Sequence, residues 1–482
     1  MTARFRPYPR YKASGLSWID DVPSHWQIKR AKYLYREVDD RSTTGQEELL
    51  SVSHLTGVTP RREKNVTMFL AESNVGHKLC RPGDLVINTM WAWMAALGVS
   101  SHEGLVSPSY GVYRLLSNDL LPGYADRLLR TSTYAAEYTR RSTGVNSSRL
   151  RLYPEEFLRI PIIIPPKNEQ GSISRFIEHI DRLAANYMRA KQNLLKLLSE
   201  QRQAIVHRAV AQGLETNVRS KDSGVQWLGQ IPEPWEPLRL KYLITRIEQG
   251  WSPQCDAQPA GENEWGVLKV GCVNRDYFDP SQNKRLPPTL RAVSELEIGP
   301  RDILMSRANT RELLGLAAIV TETRSQLLLC DKLFRFRPLE QRAYGPFIVA
   351  VIRDKNSRVQ IEASTNGASD SMQNIGQGVV KNLWLAVPPV DEQRRIVDRC
   401  AAGTAHIDVA VERERRLLAL LREYRTRLIS DVVTGQIDVR EPAASLSDKR
   451  CEPDDLSLAD EILGEATEAD LDMDDLVEEV AE

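Results

Sequence analysis

The chain repeats itself. Residues 12–34, KASGLSWIDDVPSHWQIKRAKYL, return at 221–243 as KDSGVQWLGQIPEPWEPLRLKYL, displaced by 209 positions. Lys12, Ser14, Gly15, Trp18, Pro23, Trp26, Arg30, Lys32, Tyr33 and Leu34 all recur at the shifted positions. Two tryptophans at one spacing, found twice, are hard to obtain by chance. A second block follows: Pro165-Pro166-Lys-Asn-Glu169-Gln170 matches Pro388-Pro389-Val-Asp-Glu392-Gln393 at a displacement of 223. Between them lie fainter echoes. Pro82-Gly-Asp84 resembles Pro300-Arg-Asp302 at 218, and Val112-Tyr113-Arg114 resembles Leu333-Phe334-Arg335 at 221. The displacement grows in one direction, so the second copy carries about 14 extra residues. A repeat of more than 200 residues is too long for a solenoid; it is a duplicated large unit.

Both copies share one order of elements. An aromatic-rich entry leads into roughly 140 residues of short β-rich runs bounded by Gly, Pro, Asn and Ser, which suits strands and loops. An apolar strand ending in Pro-Pro closes the unit. The period then changes. Tyr187, Lys191, Leu194, Leu198, Gln201 and Ile205 recur at alternating steps of three and four, as do Ala410, Glu414, Leu417, Leu421, Tyr424 and Leu428. No Pro or Gly interrupts Ile173 to Val210, so about 57 Å of helix is expected there at 1.5 Å per residue. The second helix is cleaner from Ala405 to Val433, because Gly403 can break or kink its start. Pairing the two with each other is the economical use of two matching stripes. The chain between them folds back through a globular unit, which predicts an antiparallel pair.

The expected fold class is therefore α+β: two similar globular heads separated by two long helices in an antiparallel coiled coil, with pseudo-two-fold internal repeat. Expected boundaries are 1–165 for the N-terminal segment and first head, 166–220 for a helical spacer, 221–388 for the second head and 389–440 for a second spacer. Residues 441–482 form an acidic tail. Helices of roughly 40–55 Å could hold two heads about one DNA turn, ~34 Å, apart.

Charge is segregated along this plan. The tail holds 16 acidic and 2 basic residues, a net of −14, with Leu456, Leu458, Ile462, Leu463, Leu471, Leu476, Val477 and Val480 among them. It reads as disordered or as a short amphipathic helix, and more as a solubilising segment than as a DNA mimic. The remaining 440 residues carry 62 basic and 49 acidic residues, a net of +13. A basic body with an acidic tail hints at a polyanionic partner. Six widely spaced cysteines and no Cys-x-x-Cys argue for reduced thiols rather than zinc or disulfides. No secretory signal or membrane span is expected, which points to the cytoplasm.

At this point the residues carry a resemblance. The Ser-Gly-x-x-Trp…Ile-Pro-x-x-Trp entry, the Pro-Pro-x-x-Glu-Gln exit and the long charged helices resemble the specificity subunits of type I restriction-modification enzymes. Met305-Ser-Arg-Ala-Asn-Thr-Arg-Glu-Leu-Leu-Gly-Leu-Ala and Cys330-Asp-Lys-Leu-Phe-Arg-Phe-Arg resemble their target-recognition domains. The likeness covers about residues 8–440, and the tail lies outside it. Gly171 and Ser172 depart from it, where bulkier helix formers are expected, and could loosen the first turn of that helix. The resemblance implies a non-catalytic subunit whose heads each read half of a bipartite DNA target. It implies that the helices set the spacer and dock two methyltransferase subunits, and through them restriction/translocase subunits. It also implies that this chain binds no cofactor or metal, while S-adenosylmethionine, ATP and Mg serve the partners.

The residues themselves agree. There is no Gly-x-x-x-x-Gly-Lys-[Ser/Thr] loop, no Gly-x-Gly-x-x-Gly and no His pair spaced for metal. The three Pro-Pro pairs, at 165, 288 and 389, lack the flanking residues of an adenine-holding methyltransferase tetrad. A self-sufficient modification enzyme and a coiled-coil scaffold without DNA remain the rival readings.

Lys and Arg fix a protein on phosphates, whereas Arg, Asn and Gln read base edges through paired hydrogen bonds. In the second head this selects Ser306, Arg307, Asn309 and Arg311, then Lys332 and Arg335, with Arg337 on the same face, and the polar loop containing Asn366, Gln373 and Asn374. In the first head the equivalent positions hold Asn88, Trp91 and Trp93, and a basic loop offers Arg140, Arg141, Asn146 and Arg149. Trp18, Trp26, Trp227 and Trp235 are read as packing where head meets helix. Leu194, Leu198, Ile205, Leu417, Leu421 and Leu428 are the expected seam of the spacer. The heads differ in their loops, so the target should be asymmetric.

Overall fold

A computed structural model describes residues 6–63, 73–144, 150–215, 218–365 and 373–446. The chain divides into two units. The first comprises residues 1–193 and 414–482, the second residues 194–413. Each long helix therefore starts in one unit and ends in the other: Lys167–Gln212 and Val390–Val433.

The first unit is built on a four-stranded antiparallel sheet in the order Tyr35–Glu37, Gly111–Leu115, Leu85–Ile87, Leu97–Val99. A strand just after the entry tryptophan, Gln27–Arg30, pairs with the exit strand Pro161–Ile164. Helices Pro122–Leu129, Ser132–Arg141 and Pro154–Leu158 complete the head. Its core joins Trp26, Leu85, Tyr113, Tyr124 and Phe157 to Ile173, Phe176 and Ile177 of the first long helix and to Leu428, Val432 and Val433 of the second.

The second unit repeats this plan. Its sheet runs Glu248–Gln249, Leu333–Phe336, Ile303–Ser306, Ala317–Ile319, again antiparallel. Glu236–Arg239 pairs with the exit strand Trp384–Val387. Helices Gly345–Arg353, Lys355–Glu362 and Gln377–Asn382 follow in the same order. Its core takes Ala209 and Val210 from the end of the first long helix and Ile396 from the start of the second. A further three-stranded sheet, Asn283–Arg285, Gly266–Leu268 and Leu327–Leu328, has its own apolar cluster.

The structure corrects one displacement. Leu85 pairs with Tyr113, and Ile303 pairs with Phe336, so Tyr113 corresponds to Phe336 and Arg114 to Arg337. The displacement is thus 223 at this strand, not 221, and Arg335 stands where the first head has Val112. The electrostatics follow the backbone register. Buried Asp84 accepts from Arg114 Nε at 2.9 Å, and buried Asp302 accepts from Arg337 Nε at 2.5 Å. The turn before each aspartate needs a left-handed residue. Gly83 supplies it in the first head at φ +89°, and Arg301 in the second at φ +74°.

Both long helices exceed expectation. The first runs unbroken from Lys167 through Gly171 and Ser172, and the second passes through Gly403. One glycine costs about 1 kcal/mol in a helix interior, too little to break 44 residues held by side-chain packing. The helices are antiparallel. In the first unit Asp181 meets Arg425 at 2.7 Å and Lys191 meets Glu414 at 2.7 Å; in the second Arg202 meets Asp408 at 2.7 Å. The buried seam lies partly beside the expected stripe. Ala184, Ala185, Met188, Thr404, Ile407 and Leu418 are buried. Of the stripe, Leu428 is buried and Leu198, Ile205, Leu417 and Leu421 are half-buried. Leu194, Tyr187 and Tyr424 are exposed. Small residues and charged pairs occupy the seam, and these a search for large apolar side chains passes over.

Candidate nucleic-acid interface

The repeated motifs explain each other. Trp26 and Trp235 are both fully buried. Trp26 Nε1 donates to Glu169 Oε2 at 3.0 Å, and Trp235 Nε1 donates to Glu392 Oε1 at 3.1 Å. An indole buried this deeply must place its N–H, and the exit glutamate receives it. Gln170 next to Glu169 accepts from Leu121 N at 2.7 Å, while its Nε2 donates to the carbonyls of Asp119 and Pro165, each at 2.8 Å. Gln393 does the same with Tyr344 N at 2.7 Å, Arg342 O at 3.1 Å and Pro388 O at 2.8 Å. In each unit, then, the Glu-Gln pair ties the start of a long helix to the head's entry tryptophan and to its first helix. Trp18, by contrast, stacks edge-on against Tyr134 at 5.1 Å, and Trp227 is exposed.

These anchors leave one end of each sheet bearing the candidate residues. In the second head the strand Ile303–Ser306 ends at Ser306, which is fully buried and donates its hydroxyl to Leu313 O at 2.8 Å. The chain then turns into Ala308–Asn309, which pairs with Gln373–Asn374. Two polar segments about 60 residues apart in sequence thus become neighbours. Arg307 N donates to Lys332 O at 2.8 Å, and Ile375 N donates to Arg307 O at 2.9 Å. So Arg307, Asn309, Lys332, Gln373 and Asn374 are brought together. Arg311 lies beyond them, with its side chain 62% exposed and 3.9 Å from Glu362. Arg335 points elsewhere. Its guanidinium is buried and donates to Glu248 Oε2 at 2.8 Å, Glu297 O at 2.6 Å and Glu295 O at 2.8 Å. Asn366 lies outside the described residues.

The first head makes the same junction with other side chains. Asn88 occupies the place of Ser306, is buried, and donates to the Tyr110 hydroxyl at 3.2 Å. Leu152 N donates to Thr89 O at 2.9 Å, the counterpart of Ile375 to Arg307. Trp91 is 41% exposed, and Trp93 is half-buried with Nε1 donating to Met90 O at 3.1 Å. Arg140 and Arg141 end the helix Ser132–Arg141, which packs on the turn containing Trp93. Arg140 Nε donates to the buried Glu137 carboxylate at 2.7 Å and Arg141 Nε at 2.5 Å. Asn146 and Arg149 lie outside the described residues.

Burial by itself would raise the Glu137 carboxyl, but hydrogen bonds from Arg140 and Arg141 outweigh it and hold the group below the usual carboxylate range. A depressed folded-state pKa gives stability that is present above the ordinary carboxylate value and lost as pH falls through the folded one. Acidification through and below the ordinary carboxylate range should therefore loosen this helix end. Amide exchange over residues 132–144 should show that loss in the native chain and a smaller one in Glu137→Gln.

The chain resembles known proteins. It is 30% identical over 169 residues to the type I restriction enzyme EcoEI specificity subunit of Escherichia coli, a match that spans 35% of this chain but only 28% of that protein. The match to the EcoKI specificity subunit of Escherichia coli K12 is broader. It is 23% identical over 370 residues, covering 74% of this chain and 75% of that one. No family model matches. A solved chain from a study of type I restriction-modification assembly and conformational transition superposes with a TM-score of 0.56 at 15% identity. It covers 86% of this chain and 99% of its own length, and so shares the fold. The curated relatives of this chain are type I restriction enzyme specificity subunits. Subunits of this kind are not themselves catalytic.

Two features of the site were missed in the sequence. Asn274, which follows the short helix Val270–Val273 of the second head, accepts from Asn309 Nδ2 at 3.1 Å and so orients a candidate base reader. The glycines ending the long helices were also passed over. Gly213 and Gly435 both take left-handed φ, +78° and +81°, and both abut an entry tryptophan, Trp235 and Trp26 respectively. Helix-ending glycines 222 residues apart were the available signal. Among the described residues no helix is long and apolar enough to cross a membrane, and no His/Cys/Asp/Glu cluster could hold a metal.

Proposed function

We propose that this chain selects the DNA target of a type I restriction-modification complex. Residues 1–165 and 221–388 act as two readers, each responsible for one half of an asymmetric two-part site. Residues 166–220 and 389–440 set the spacer and dock two methyltransferase subunits, through which restriction/translocase subunits join. Leu194, Leu198, Ile205, Leu417, Leu421 and Leu428 contribute to that spacer. The complex uses S-adenosylmethionine, ATP and Mg on the partner subunits, and works in the cytoplasm.

One observation carries the reading. Two heads of one plan place different side chains at the same strand end, as expected of paired readers with unlike targets. In the second head Arg307, Asn309, Arg311, Lys332, Gln373 and Asn374 offer phosphate and base-edge contacts. Asn366 from the same loop is assigned with them. In the first head the assigned residues are Asn88, Trp91, Trp93, Arg140, Arg141, Asn146 and Arg149. Buried Ser306 and Arg335 support these surfaces from within. A scaffold without a DNA role has no need of unlike heads.

The test is an exchange. Residues 22–165 are replaced by the corresponding segment of another specificity subunit, and methylated adenines are mapped in cells carrying the methyltransferase partner. One half of the motif should change while the other half and the spacer stay. A change in both halves, or in neither, would refute the assignment of one head to one half.

A further inference from the structure

Resting on that reading, we propose that the first head recognises thymine by apolar contact with its 5-methyl group, through Trp91, whereas the second head reads by hydrogen bonding. The strand registers make the positions comparable. Ile87 corresponds to Met305, Asn88 to Ser306, and the bond from Leu152 N to Thr89 O corresponds to that from Ile375 N to Arg307 O. Three apolar side chains then stand where the second head has small or polar ones: Met90 for Ala308, Trp91 for Asn309, and Tyr153 for Gly376. Met90 and Trp91 are each 41% exposed and Tyr153 is 46% exposed. A side chain at Gly376 would meet only open space.

The backbone that carries Trp91 is fixed by its neighbours. Trp91 N donates to Asn88 O at 3.1 Å, and the buried Asn88 side chain accepts from Met90 N at 3.3 Å. The turn closes through Ala95 in the left-handed region at φ +58°. Trp91, exposed beside Met90 and near Tyr153, belongs to an apolar surface of the kind that marks an interaction site. Arg140, with its side chain 63% exposed on the helix packed against this turn, supplies a cation for the phosphate backbone beside it. The apolar feature of a base-pair edge in the major groove is the thymine methyl. Asn309, by contrast, is of the side-chain type that suits adenine, its amide oriented by Asn274 at Nδ2 and by Thr310 N at Oδ1.

The experiment uses the intact specificity subunit with its methyltransferase partner, on unmodified duplexes carrying the mapped motif. Each thymine in turn is replaced by uracil, which removes only the methyl. One such replacement in the half assigned to the first head should weaken binding about fourfold, the worth of one buried methyl group. Trp91→Ala should weaken the native duplex similarly and bind uracil and thymine duplexes alike, while Trp91→Phe keeps part of the preference. Unchanged melting of both variants establishes that they fold. Indifference to every uracil in that half overturns the proposal, as does a uracil effect that persists in Trp91→Ala. A complex that binds all sequences equally overturns this proposal and the reading beneath it together. One that reads its motif but ignores uracil overturns this proposal alone.

Discussion

Trp26→Ala should destabilise the first unit by about 3–5 kcal/mol, the range for deleting a fully buried aromatic. The loss is not confined to packing. The Trp26 ring sits 5.7 Å from Tyr8, and its N–H is one of several groups converging on Glu169. His25 Nε2 lies 2.7 Å from that carboxylate, the Tyr8 hydroxyl 3.3 Å, and an Arg440 nitrogen 3.6 Å. Gly435, at the end of the second long helix, is placed so that even a Cβ would come within 2.9 Å of the indole. One side chain thus holds together the entry motif, the exit motif and a helix end. Amide exchange should rise across residues 6–193 and 414–446 and stay unchanged in the second head. Trp26→Phe keeps most of the packing but loses the donor, and should cost roughly half as much. An equal loss in both units would show that the two are not separately stabilised.

Asp181→Ala should cost a similar 3–5 kcal/mol, the usual result of removing one partner from a buried charge cluster. The Asp181 side chain is 1% exposed. It lies on the first long helix, 3.0 Å from Arg127 of the head and 2.7 Å from Arg425 of the second long helix. Its removal leaves two partly buried guanidinium groups without their counter-ion. Replacing all three with apolar residues of similar volume should recover much of the loss, because burying the charges carries a desolvation cost of its own. Thermal melting of the single and triple variants separates these outcomes. A loss below about 1 kcal/mol for Asp181→Ala would mean that water already screens the cluster.

The large features were legible because each is written twice. Trp26 and Trp235, with Glu169-Gln170 and Glu392-Gln393, mark the same junction in both units, and the uninterrupted stretch after each Pro-Pro marks a long helix. Other features were hidden for physical reasons. Strand pairing, not side-chain likeness, equates Arg114 with Arg337, so the sequence echo with Arg335 misled by two residues. The helix seam contains Ala184, Ala185, Asp181 and Thr404, which no pattern of leucines reveals. The meeting of residues 308–309 with 373–374 depends on a short antiparallel pairing across distant chain, and periodicity carries no trace of it. The same holds for Asn274, whose role is visible only beside Asn309.

The most direct test of target selection is a genome-wide map of methylated adenines in cells expressing the methyltransferase partner, with and without this chain. Methylation at one asymmetric two-part motif, lost when the gene is deleted and restored with it, is the result expected. Methylation that persists unchanged without the chain, or that shows no two-part motif while the partner is active, would contradict the account.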